Sequence, residues 1–136
     1  MTYDQLDKLG IDHKWLAPLE ETFAKYDIST PVRQACFIGQ CAHESGNFKT
    51  LQEKLTGKEN YANCGTALGI DLVGNPTLLI EPKYAALSAG WFWRKRGLND
   101  LADASDIETM TKRINGGLIG LEDRKAKIAK TLSILG

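Results

Sequence analysis

Apolar residues recur every three to four positions along most of this chain, the period of a helix lying against a core. Leu16, Leu19 and Phe23 keep that spacing and predict a helix over 12–26. Ser29-Thr30-Pro31 reads as the start of the next helix: a hydroxyl cap, then proline in the first turn, where its missing N–H would have no partner anyway. Val32, Ala35, Cys36, Phe37, Ile38, Cys41 and Ala42 then cover nearly every side of that helix. A helix apolar all round is expected to be central and buried. Ser45-Gly46 supplies its stop. Lys58 to Leu68 reads as helix up to Gly69, and Asn75-Pro76 as a turn. Glu81-Pro82 opens a helix through Tyr84, Leu87, Trp91 and Phe92 that Gly97 halts. Ser105-Asp106-Ile107-Glu108 has the form of a capping box for a helix to Ile114, which Asn115-Gly116-Gly117 breaks. Leu121, Ile128, Leu132 and Leu135 give a last amphipathic helix. No strand pattern, repeat or low-complexity stretch interrupts the series. The predicted fold class is all-α, a compact helical domain spanning residues 1–136.

Composition narrows the partners. Seventeen basic residues balance seventeen acidic ones, so no net charge pulls the chain toward nucleic acid or an anionic membrane. A basic-rich C-terminal part holds Lys112, Arg113, Arg124, Lys125, Lys127 and Lys130, and is expected to be a solvated helix face rather than a membrane contact. Three cysteines, Cys36, Cys41 and Cys64, are an odd number without regular spacing, so buried free thiols are expected rather than a disulfide framework. Neither they nor the two isolated histidines form a metal-ligand pattern, and no cofactor is expected. The first residues show no basic-then-apolar leader. The expectation is synthesis in the cytoplasm without a signal peptide, with any target outside reached after release.

Candidate chemistry gathers at few positions. Glu44 falls at the C-terminal end of the all-apolar helix, where a partly desolvated carboxyl beside the negative helix end is placed to hold a proton for a general acid's work. A solvated glutamate at a helix end is the competing reading. In Asn115-Gly116-Gly117 an amide stands beside two residues that let backbone approach a ligand, although the same run is also a common helix stop. Thr56 to Tyr61 holds Thr56 and Asn60, and is otherwise a capped helix start. Trp91 and Trp93 cannot share one face, so one is expected in the core and the other near the surface. His43 could partner Glu44, but it points about 100° away on a helix and is given a structural or orienting role.

Taken together, FIGQCAHESGNFKTLQE, LTGKENYANCGTALGIDLVGNPTLL, EPKYAALSAGWFWRKRGLNDLAD and TKRINGGLIGLEDR resemble family 19 glycoside hydrolases, most closely the bacteriophage endolysin branch. The resemblance implies a lysozyme-like helical fold. It also implies an inverting cleavage of β-1,4 glycan bonds in peptidoglycan or chitin, in which one glutamate protonates the leaving oxygen and a second activates water. Carried over by position, Glu44 matches the general acid, Thr56 and Asn60 match residues that hold water or substrate, and Asn115 matches a substrate-binding asparagine.

One departure matters. In the family, several dozen residues separate the HES…LQE segment from the LTG run. They form a small lobe with the second glutamate and a Gly-Arg-Gly-Leu-Ile-Gln run. Here LQE meets KLTG directly, and Lys54 stands where a glutamine is expected. The resemblance therefore implies a missing lobe and a missing general base. Glu53 and Glu59 are the local substitutes, of which Glu53 is the candidate base; an inverting pair needs carboxyls roughly 6.5–9.5 Å apart across the scissile bond. The expectation is an impaired or inactive hydrolase, with a non-catalytic glycan-binding scaffold as the alternative.

Overall fold

A computed structural model describes residues 1–49 and 58–136, and every regular element in them is helical. In chain order these are α1 (Tyr3–Leu9), a 3-10 turn (His13–Trp15), α2 (Leu16–Lys25), α3 (Pro31–Ser45), α4 (Lys58–Leu68), a second 3-10 turn (Pro76–Ile80), α5 (Pro82–Lys95), α6 (Leu98–Asp103), α7 (Ile107–Asn115) and α8 (Leu121–Leu135). The all-α expectation holds, and α3 is the buried centre: every residue from Ala35 to Ala42 is buried.

Local chemistry sets the helix ends. Thr30 accepts a hydrogen bond from the Arg33 N–H, and Pro31 follows it, as predicted. Three boundaries differ from expectation. Thr2 and Gln5 form a full capping box, starting a helix at Tyr3 that the apolar spacing alone does not reveal. The expected helix over 12–26 splits, because Asp12 caps a 3-10 turn before α2 begins. The cap of α7 is Asp106, whose carboxylate accepts from the Thr109 N–H, while Ser105 sits one residue too early with φ 54°. Gly97 ends one helix and opens another, so α6 follows it immediately.

Packing builds outward from α3. Its most extensive partner is α8, and the two cross at Gly39. A Cβ there would sit 2.8 Å from the Ile128 backbone nitrogen, so only glycine admits this approach. On the other flank Phe37 meets Phe23 of α2 and Trp93 of α5 edge-on, with ring centroids 5.8 and 5.4 Å apart. Trp93 is the core tryptophan and Trp91 the more accessible one, as their spacing required. A smaller cluster of Cys64, Leu72, Leu79 and Phe92 lies under α4 and α5. All three cysteines are buried.

Candidate active site

Glu44 occupies the last turn of α3 and reaches the surface there. Gly46 caps the helix in the left-handed conformation (φ 59°), and Asn47 (φ 61°) and Phe48 (φ 70°) continue in it. Such angles are strained for residues other than glycine, most of all for a bulky one. The bend is held because the Phe48 N–H donates to Ser45 Oγ (2.8 Å) and the ring is buried edge-on against Trp15. The chain thus turns sharply away and leaves Glu44 at the rim.

The carboxylate is not desolvated as expected. Its side chain is 46% exposed, and Arg124 Nη2 donates to Oε1 at 2.7 Å. The arginine is the buried partner, 1% exposed. Its Nη1 donates to Gln40 Oε1 (2.7 Å) and its Nε to the Ile119 carbonyl (3.0 Å). Gln40 in turn donates through Nε2 to Thr111 Oγ1 of α7 (3.2 Å). One guanidinium therefore ties together α3, α8 and the loop after α7, and a buried cation is tolerated because each part of its fork has an acceptor. Arg124 does not belong to the solvated basic face on which its charge alone had placed it. The sequence did carry a signal: Arg124 falls in register with Leu121, Ile128, Thr131 and Leu135, the inward stripe of the last helix.

Beside this network lies a second one. His43 Nδ1 is 2.5 Å from Asp123 Oδ2, and Lys127 Nζ is 3.0 Å from Asp123 Oδ1. The hydrogen bonds from His43 and then Lys127 hold the Asp123 carboxyl below the usual carboxylate range. The His43 ring also lies directly under Gly120 (φ 73°), where a Cβ would come within 2.5 Å of Nε2. The described contacts of His43 thus run to α8 and the 116–120 loop.

Asn115 ends α7 and is exposed at the root of the 116–120 loop, the same loop that Arg124 binds through Ile119. Glu44 and Asn115 are thus joined through one scaffold. Asn60 lies on α4 and accepts from Lys95 Nζ of α5 at 3.0 Å; Lys95 also stands 5.0 Å over the Trp91 ring. No described hydrogen bond or ion pair connects Asn60 to Glu44. Thr56, Glu53 and Lys54 lie outside the described residues. Among the described residues no group of acidic, histidine or cysteine side chains has the arrangement of a metal site.

No protein-family model matches the chain. It is similar to a protein of Haemophilus influenzae described as glycosyl hydrolase family 19 domain-containing, 34% identical over 86 residues, which is 60% of this chain and 38% of that protein. It is also similar to endochitinase 1 of Theobroma cacao, 43% identical over 54 residues, 39% of this chain and 17% of the enzyme. Chitinase 8 of Oryza sativa is 49% identical over 41 residues, 29% of this chain and 16% of the enzyme. The chain thus spans 38% or less of the length of these relatives, and their names support a kinship with family 19 glycoside hydrolases.

Proposed function

We propose that this chain is a family 19-type, lysozyme-like glycan hydrolase domain of the endolysin kind, acting on the β-1,4 glycan strands of peptidoglycan. The observation that carries the reading is Glu44: a half-exposed carboxylate at the end of a buried helix, gripped by a buried arginine that also fixes the loop following Asn115. The relatives support glycan as the substrate class. In this reading Glu44 donates a proton to the leaving glycosidic oxygen, and Asn115 and Asn60 hydrogen-bond sugar hydroxyl or N-acetyl groups. Thr56 completes that set. The protein reaches the wall after release from the cytoplasm.

The inverting route needs a second carboxylate across the bond. The family's base-bearing lobe has no counterpart between Glu53 and Lys54, and we read this as the loss of that lobe. Loss of a general base costs about 10²–10⁴-fold, so the domain is slow unless Glu53 substitutes. One observation favours the non-catalytic alternative: Glu44 already has a guanidinium partner. A glycan-binding scaffold needs nothing more.

Digestion of purified peptidoglycan, followed by mass spectrometry of soluble fragments, separates the two. Muropeptides with new reducing ends, absent with Glu44→Gln, establish the hydrolase. No fragments from either protein, with retained glycan binding, establish the scaffold.

A further inference from the structure

Ile119 is the most exposed large apolar residue described, at 76%, and its neighbour Leu118 is 40% exposed. They stand on a loop that is anything but loose. The Leu118 carbonyl accepts from the Leu121 N–H (3.1 Å), the Ile119 carbonyl from Arg124 Nε (3.0 Å) and the Gly120 carbonyl from the Arg124 N–H (2.9 Å). Gly120 rests on the His43 ring. Backbone this well fixed presents two aliphatic side chains to water at little further entropic cost to a ligand that covers them. The guanidinium that holds Ile119 also holds Glu44, and Asn115 stands at the loop's root.

A ligand for this rim must bring a small apolar group next to an amide and hydroxyls. Resting on the glycan reading above, we propose that Leu118 and Ile119 are specificity-determining residues that pack against the methyl of an N-acetyl group on the sugar bound beside Glu44. A lipid surface is the other occupant that two exposed aliphatics suggest. Glu122 and Asp123 follow the loop directly in the first turn of α8, and their negative charge opposes an anionic lipid surface there.

The test uses full-length protein carrying Glu44→Gln, so that no substrate is cleaved, and calorimetric titration with two tetrasaccharides. One is the β-1,4 tetramer of N-acetylglucosamine. The other is its N-formyl counterpart, which keeps every amide and loses only the methyl groups. The expected result is N-acetyl binding tighter by about fourfold for each methyl covered. In the Leu118→Ser/Ile119→Ser double variant that preference should vanish, with N-formyl affinity and melting temperature unchanged. Equal binding of both sugars by the parent, or a preference that survives in the double variant, overturns the proposal while leaving the glycan reading intact. Binding of neither sugar by the parent overturns both. Association with anionic vesicles that the double variant alone loses, with sugar preference unchanged, assigns the loop to lipid and likewise overturns the proposal.

Discussion

Arg124 and Glu44 form an unequal pair, and their substitutions should differ accordingly. Removing the arginine strands the Gln40 amide oxygen and the Ile119 carbonyl, each worth about 1–3 kcal/mol when left without a donor. Arg124→Met, which keeps the volume, is expected to lower unfolding stability by about 2–4 kcal/mol in urea titration. Arg124→Lys should rescue little, since a single ammonium cannot reproduce the planar fork. Glu44→Gln, at a half-exposed position, should cost less than about 1 kcal/mol while removing any glycan cleavage. A stability loss for Glu44→Gln equal to that for Arg124→Met would refute this division of roles. The positions of Glu44 and Asn115 in the last turns of their helices were legible from the sequence. Arg124 was not singled out, because a charged residue reads as solvated until the partners that neutralise it are known, and they lie in α3 and in a loop. The desolvation expected for Glu44 and not found has the same origin.

At the scale of elements, the α3–α8 seam depends on Gly39. Helix propensity alone makes Gly39→Ala favourable by about 1 kcal/mol. The collision with the Ile128 backbone reverses the sign, because main chain cannot rotate away as a side chain can. A net loss of about 1–3 kcal/mol is expected from thermal or urea melts; a gain would mean that the two helices can separate freely. The bend after α3 offers a contrast. Asn47→Gly removes a side chain from a left-handed residue and is expected to change stability by less than about 1 kcal/mol, whereas Phe48→Ala empties a buried site and should cost about 3–5 kcal/mol. Most elements were readable from period and punctuation: α3, α5, α7 and α8 fall where the apolar spacing put them. The short helices α1 and α6 were missed because they carry too few turns to establish a period: a capping box starts α1 and left-handed Gly97 starts α6.

For the whole molecule, acid is the informative perturbation. Arg33 of α3 grips Asp103 of α6 through two hydrogen bonds of 2.9 and 2.7 Å, and this holds the Asp103 carboxyl below its usual range, as His43 does for Asp123. Carboxyls depressed in the folded state add stability that is complete above the unfolded value of about 3.9 and is lost as pH falls through the folded values. These two groups should therefore contribute nothing to pH dependence near neutrality and a decline below about pH 4. Both carboxyls are solvent-exposed, so the effect is small. Asp103→Asn should flatten the acid limb of a melting-temperature profile, and an unchanged limb would show that solvent screens the pair completely. These long-range pairs lay beyond the sequence pattern, which specifies faces and ends of helices but not which surfaces meet.

The clamp on Glu44 also has a consequence in time. Glu44 and Arg124 are separated by 80 positions, so a chain emerging from the ribosome exposes the acid long before the arginine that positions it. Until α8 is made and docked on α3, Glu44 lacks the guanidinium that holds it, so synthesis itself sets the moment at which this clamp first forms.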